Sequence, residues 1–292
     1  MGGEPRALTL RREAAEVLTP LAGLTLVVAP GAAAPFDQLV RIREHQVDRA
    51  AECLASLAHE SEFDGWRAAF ARRRLGLAVL ERMRKGASAD PSRIARDVVD
   101  HERRTSQSGL ASWLGELGPG GAAAVVREAV WFAVATRAAV RSWPPGDGTR
   151  FGDAFTWDLP GRAVRLEAAV DAVTRPTRSL LVLTSALDDD EGERRDLAWP
   201  AFVATLGTGQ VPNDVTRIDL ASGDRRRIPV TDDVLDDGLT LAARAVEAVT
   251  AAWFGPPAPT APGRWCERCP GRDTCPPGRR WLDGGARNPH AS

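Results

Sequence analysis

The sequence has no tyrosine and a single lysine, Lys85, so the other 37 of its 38 basic residues are arginine. Its richness in arginine, alanine, proline and glycine is typical of a GC-rich genome, and we do not treat arginine frequency as a functional signal. The formal net charge of -1 predicts no strong affinity for polyanions. No apolar run approaches the length needed to span a bilayer, which excludes a transmembrane protein.

Hydrophobic residues make up 43% of the chain and charged residues 26%, which is typical of a soluble globular protein with one large or two modest domains. The segment 21–34 imitates the apolar part of a secretion signal, but the run is short, broken by glycine and preceded by Glu13 and Glu16. We interpret it as an early strand and loop. The expected location is the cytoplasm.

Cysteine is scarce, yet three of the four cysteines, Cys266, Cys269 and Cys275, form a C-x2-C-x5-C pattern near the C-terminus. Prolines and glycines hold this segment out of regular structure, so its sulfurs can converge on a metal ion or cluster. Cys53 is the only remaining thiol to complete four ligands. Cys53 could instead be a small buried apolar residue, and His290 is a second candidate for a zinc ligand. A disulfide framework does not fit so few cysteines in so long a chain.

The chain is predicted to be helical first and mixed afterwards. Helical spacing of apolar residues covers 35–58, 62–84, 91–117 and 122–143. Runs typical of strands follow at 151–159, 163–173, 179–185, 215–220 and 226–230, with a helix near 197–206 and a long helix from Thr231 to Gly255. These elements divide the chain into an N-terminal segment (1–62), a helical region (63–150), an α/β core (151–255) and a proline-rich linker with a cysteine tail (256–292).

This order of elements, with a lone upstream cysteine and a terminal C-x2-C-x5-C-P, resembles the iron-sulfur branch of the PD-(D/E)XK nuclease superfamily, which includes RecB-type exonucleases and AddB. The resemblance implies a restriction-endonuclease-like mixed sheet flanked by helices. It also implies a 4Fe-4S cluster on Cys53, Cys266, Cys269 and Cys275 that joins the C-terminal tail to the N-terminal helices. Gly76 is similar to the glycine of the family's helix motif, and Asp171 to its first metal-binding aspartate.

The rest of the nuclease motif is missing. Leu80 takes the place of the motif histidine, the strand 180–186 has neither the acid nor the lysine of the family, and the next helix presents Trp199 and Phe202 where the family has glutamine and tyrosine. Hydrolysis of a phosphodiester in this way needs several carboxylates around Mg²⁺ and a positioned cation. Lys85 lies at a distant helix end, and arginine is a poor replacement for lysine. The core is therefore predicted to be inactive.

Three functional hypotheses remain. The first is a non-catalytic, nuclease-like iron-sulfur protein that acts as an accessory or scaffold in DNA processing with a protein partner. The second is an active Mg²⁺-dependent DNA exonuclease whose displaced site is built from Asp153, Asp158, Glu167 and Asp171, two of which share one strand face. The third is a protein-interaction module stabilised by Zn²⁺. The acidic run 188–193 is interpreted as a solvent loop.

Direct contact with DNA has only a weak signal in the sequence. Arginine clusters at 72–74, 225–227 and 279–280 could bind phosphates, and Trp265 or Trp281 could stack on bases. Arginines at this frequency also cluster by chance on solvated faces. One C-x2-C knuckle with a third thiol close by and a distant fourth is uncommon for zinc, so the resemblance favours 4Fe-4S.

Overall fold

The structure, a computed structural model, describes residues 5–23, 40–57, 68–85, 90–105, 109–140, 149–161, 164–174, 178–184, 190–220, 222–254, 259–269 and 271–285. Within these residues the first half of the chain is helical except for one short strand. Its elements are α1 (Arg6–Gly23), β1 (Val40–Ile42), α2 (Glu44–Glu52), α3 (Leu54–Leu57), α4 (Ala68–Arg84), α5 (Pro91–Thr105), α6 (Gly109–Glu116) and α7 (Pro119–Ala139).

The second half contributes the remaining strands and the helices that cover them. Its elements are β2 (Arg150–Asp158), β3 (Val164–Val173), β4 (Leu180–Thr184), α8 (Asp190–Thr208), β5 (Asp214–Asp219), β6 (Arg225–Pro229), α9 (Asp232–Phe254), a 3₁₀ helix (Arg264–Arg268) and α10 (Pro276–Gly285). The fold is therefore α/β, with a mixed sheet flanked by helices.

The described strands form one six-stranded sheet in which β3 is central. β2 pairs with β3 along its whole length in antiparallel register. On the opposite edge of β3, β1 pairs with Val164–Leu166 and β4 with Ala172–Val173. Residues 167–171 of β3 therefore lie in a gap between β1 and β4. Because backbone groups in such a gap lack a strand partner, side chains must satisfy them.

Two helical layers pack on this sheet. The larger apolar core joins α1, α2, α8 and α9 to the face that carries Leu166 and Ala168, with the indole of Trp199 and the ring of Phe202 fully buried in it. A second core lies within α4, α5, α6 and α7, and Phe132 of α7 packs against Ala172 and Leu181 of the sheet. Close packing of α4 on α7 explains Gly76, because a Cβ there would stand 2.6 Å from the Phe132 ring.

Several sequence predictions of the elements are wrong. Residues 35–58 were predicted as one helix, but the described part holds β1, α2 and α3, with an extended break at Cys53 (φ -159). The strand proposed from Leu21 begins inside α1, and its remainder lies outside the described residues. The acidic run assigned to a loop enters α8 at Asp190. The helix over 91–117 is two helices, α5 and α6.

The strands and late helices agree better with prediction. β2 to β6 each overlap a predicted run, and α9 begins beside the predicted cap Thr231. β1, which lies in the N-terminal segment, pairs in parallel with β3 of the α/β core. None of the described helices combines the length and the apolar character that crossing a membrane would require.

Candidate functional site: a four-cysteine cavity and a gap in the sheet

All four cysteines line one small cavity, although Cys53 is more than two hundred residues from the others. Cys53 sits at the break between α2 and α3, where its extended backbone interrupts the helix. The Cys53 carbonyl accepts the Ser56 hydroxyl at 2.7 Å, which holds the start of α3. The three C-terminal thiols come from the 3₁₀ helix and the turn before α10. None of the four forms a disulfide.

Backbone amides surround the sulfurs. The N–H groups of Ala261, Gly263 and Gly278 donate to Sγ of Cys53, Cys266 and Cys275 at 3.5, 3.5 and 3.4 Å. Hydrogen bonds of this kind stabilise negative charge on sulfur and orient metal-ligating thiolates. The Ala261 amide also links the C-terminal segment directly to the upstream cysteine, so the cavity joins distant parts of the chain.

Gly278 lines the cavity beside two of the sulfurs. A Cβ on Gly278 would stand 3.4 Å from Sγ of Cys275 and 3.5 Å from Sγ of Cys266. The cavity itself measures about 20 Å³, enough for one water-sized body. Burial raises the pKa of the Cys269 thiol, and a hydrogen bond from the Gly271 backbone lowers it in part.

The donor set suits a metal centre in its chemistry. Four thiolates complete a tetrahedral zinc site or hold a four-iron cluster. As placed, however, no three His, Cys, Asp or Glu side chains of the described residues form a group that could hold a metal ion. His290, the alternative zinc ligand, lies outside the described residues.

The second region is the gap in the sheet, where Asp171 is fully buried and held by Arg73 of α4. The guanidinium donates to both carboxylate oxygens, at 2.7 and 3.0 Å. The backbone N–H of Leu183 on β4 donates a third bond at 2.7 Å. The indole of Trp199 donates to the Glu167 carbonyl at 3.1 Å, so side chains fill the gap between β1 and β4.

Three ionisable groups in this region have shifted pKa values. Burial raises the pKa of Asp171, and Arg73 opposes that effect. Asp171 in turn raises the pKa of Arg73. Burial also raises the pKa of Glu44, at the start of α2, to about 7; Arg73 lowers it, while Asp196, Asp48 and Asp171 add to the rise. Glu44, Asp171 and Arg73 therefore belong to one electrostatic cluster.

Each of the four carboxylates proposed for a displaced nuclease site is paired with arginine. Asp171 pairs with Arg73, as described above. The Asp153 carboxylate contacts Arg150 at 2.5 Å and the Asp158 carboxylate contacts Arg165 at 2.6 Å. Glu167 contacts Arg43 at 2.8 Å. Lys85, the sole lysine, is 70% exposed and contacts Glu81 within its own helix at 3.4 Å.

Sequence reasoning missed Arg73 and Glu44. Nothing in their local sequence distinguishes them, because Arg73 is one of three consecutive arginines and Glu44 is an ordinary first-turn acid. Arg73 lies three residues before Gly76 on α4, so the two residues lie on the same helical face.

The arginine cluster 72–74 does not present free cations. Arg72 lies 5.1 Å from the Trp131 ring centroid and contacts Glu128 at 3.5 Å, and Arg74 contacts Glu102 at 3.1 Å.

The other predicted DNA contacts lie on separate elements. Arg225–Arg227 is exposed on β6, at the edge of the sheet, and the Arg227 guanidinium donates to Asp214 at 2.6 Å. Arg279 and Arg280 are exposed on α10. The Trp265 indole donates to the Ala261 carbonyl at 2.6 Å.

No family model matches the chain, and no curated protein matches it. Among solved structures the chain is similar to that of SSO0001, with a TM-score of 0.33 and 10% identity over 74% of this chain and 98% of that chain.

Proposed function

We propose that this protein is a catalytically degenerate member of the PD-(D/E)XK superfamily that carries an iron-sulfur cluster. It serves as an accessory or scaffold in cytoplasmic DNA processing. The Arg73–Asp171 pair is the observation that supports an inactive core. An aspartate that binds Mg²⁺ must offer carboxylate oxygens to the metal. Here three donors already occupy the two oxygens of Asp171, and two of them belong to the Arg73 guanidinium, a cation that repels a second cation.

The position of Asp171 supports the resemblance in fold. The carboxylate lies next to the first residue of β3 that pairs with β4, and the Leu183 amide of β4 donates to it. In a working nuclease of this type the adjacent strand would place an acid and a lysine beside that carboxylate. β4 provides leucines instead, and Arg73 from a helix fills the cationic position.

The cluster would be held by Cys53, Cys266, Cys269 and Cys275. Its role is structural, because ligands from α2–α3 and from the C-terminal segment would share one group, and binding energy then becomes folding energy. The amides of Ala261, Gly263 and Gly278 support the bound thiolates. Such a centre supplies no hydrolytic chemistry to the gap in the sheet.

Two alternatives have specific tests. An active exonuclease requires the four arginine-paired carboxylates to exchange their partners for Mg²⁺. A zinc-stabilised interaction module is favoured by the small cavity, which is closer to the size of one ion than of a cluster. Metal content and nuclease activity distinguish all three.

The decisive experiment is anaerobic purification followed by iron, sulfide and zinc counts and by assays on single-stranded and duplex DNA with Mg²⁺ or Mn²⁺. We expect about four irons per chain and no cutting. Cys269→Ser should abolish the cluster, whereas Thr260→Ser, which changes an exposed residue of the same cavity, should retain it. One zinc and no iron would favour the interaction module. Cutting that Asp171→Asn abolishes would establish the exonuclease.

A further inference from the structure

A second cavity, of about 510 Å³, lies at one end of the sheet, between β2, β3 and β4 and the C-terminal half of α8. Its walls include Phe155, Leu180 and Ala204, which are apolar, and Thr208 contributes a hydroxyl. Volume and lining are typical of a site for a small molecule. The cavity shares no lining residue with the four-cysteine cavity and does not include Asp171.

Two arginines line this cavity, one at the start of β2 and one just before β4. Arg150 begins β2 and is the register partner of Val173, which in turn pairs with Leu180. Arg178 lies two residues before Leu180, so both arginines lie at the same end of the sheet. Arginine forks match oxyanions that present two oxygens side by side.

Arg178 has an unusual backbone. Its φ is +49, in the left-handed region that few residues other than glycine adopt. Ser179 fixes the adjoining turn, because its carbonyl accepts the Thr174 amide at 3.0 Å and its hydroxyl donates to Asp214 at 2.8 Å. A residue held in this way against its preference carries local backbone strain. The Arg178 side chain has no hydrogen bond or ion pair with any residue that the structure describes.

The charge of the cavity limits its ligand. Asp153 neutralises Arg150 at 2.5 Å, so Arg178 supplies the net positive charge. Thr208 ends α8, and the C-terminal end of a helix carries partial negative charge. A dianion would therefore be less well matched than a single negative charge.

We propose that this cavity binds a small amphipathic monoanion, in which a carboxylate or a phosphodiester is attached to an apolar body. The oxyanion pairs with the guanidinium of Arg178, and the body packs on the half-buried ring of Phe155. This site is independent of the proposed function, since it uses neither the cysteines nor Asp171.

The test is isothermal titration calorimetry of the purified full chain with three probes. 3-Phenylpropionate offers a carboxylate, the dinucleotide thymidylyl-(3′→5′)-thymidine offers one phosphodiester, and 3-phenylpropanol has the apolar body without the charge. We expect at least one anion to bind with a Kd below about 1 mM. The anion that binds identifies the source of the oxyanion. 3-Phenylpropanol should bind at least about tenfold more weakly than 3-phenylpropionate if the carboxylate is the ligand.

Arg178→Asn is the informative variant, because asparagine tolerates the left-handed conformation and removes the cation. It should weaken anion binding about tenfold or more. Arg96→Gln, an exposed arginine on α5, is the charge-matched control and should leave the Kd unchanged. The proposal is overturned if neither anion binds at about 10 mM, if Arg178→Asn binds like the wild type, or if 3-phenylpropanol binds as tightly as 3-phenylpropionate.

Discussion

Replacing Arg73 with methionine tests the central pair of the sheet gap. Methionine keeps much of the arginine stem but removes the guanidinium. Asp171 would then remain fully buried with only the Leu183 amide bound to it. An uncompensated buried carboxylate is strongly destabilising, because its desolvation is no longer offset by a counter-charge.

The expected cost is about 3 kcal/mol in the free energy of unfolding, near the lower end of the range for breaking a buried pair. Two features place it there. The Arg73 side chain is 38% exposed, which weakens its attraction for Asp171, and one hydrogen bond to the carboxylate survives the change. The neighbouring Arg74→Met is the matched control. Arg74 is 52% exposed and pairs with Glu102, so its loss should cost at most about 1 kcal/mol.

Urea unfolding at several pH values measures these costs. Removing Arg73 takes away the charge that lowers the pKa of Asp171, so that pKa should rise further. A native group with a raised pKa binds protons more readily than in the unfolded chain, so stability increases as pH falls. The deficit of Arg73→Met relative to the wild type should therefore shrink toward acid pH. The Arg74→Met deficit should not change in this way.

A double-mutant cycle with Asp171→Asn completes the test. Once the carboxylate is neutral, removing Arg73 should cost far less, which gives a coupling energy of about 2 kcal/mol. If Arg73→Met alone costs less than about 1 kcal/mol, or if its cost is unchanged in Asp171→Asn, the assignment of a buried, mutually dependent pair is wrong.

Three further perturbations test other parts of the structure. Burial raises the pKa of Glu44 to about 7, so the free energy of unfolding should fall by about 2 to 3 kcal/mol as pH rises from about 4.5 to 7. Glu44→Gln should remove this pH dependence in urea unfolding. An unchanged pH dependence would contradict the assignment. Gly76→Ala should lower the free energy of unfolding by about 1 to 3 kcal/mol, because the added methyl group clashes with α7. Gly115→Ala is the control and should be neutral or stabilising, because no atom lies within 4 Å of the added methyl group. Equal effects of the two variants in thermal melts would refute the packing account. Gly278→Val should reduce bound metal per chain by placing methyl groups beside two of the cysteine sulfurs, and full occupancy would refute a role for that glycine.

The strands of the core were predictable because their pattern is local. β4 is apolar from Leu180 to Leu183 and buried on both faces, and β2 alternates between half-buried and exposed positions. The interruption at Cys53 was not predictable in this way. Residues 44–57 are apolar at helical spacing on both sides of it, and the single extended residue gives no compositional signal.

The residues of the candidate sites also differ in whether a local motif identifies them. The three C-terminal cysteines share a motif, and Cys53 could be assigned with them only because no other thiol remained. Asp171 could be aligned with a strand motif, but its partner could not. Arg73 is 98 positions away on a helix, and among so many arginines no local feature distinguishes it. Charge pairing across such separations depends on tertiary packing.

The two regions also differ in what would depend on a bound metal. Among the described residues, those of the apolar cores extend no further along the chain than Ala252. The C-terminal segment from residue 259 is therefore attached to the remainder by the cysteine cavity and its amide contacts, including that of Ala261 with Cys53. Elements with few buried apolar contacts open at lower free energy than the core. Loss of a metal centre held by the cysteines as proposed should consequently release this segment while the sheet, with Asp171 and Arg73, remains folded.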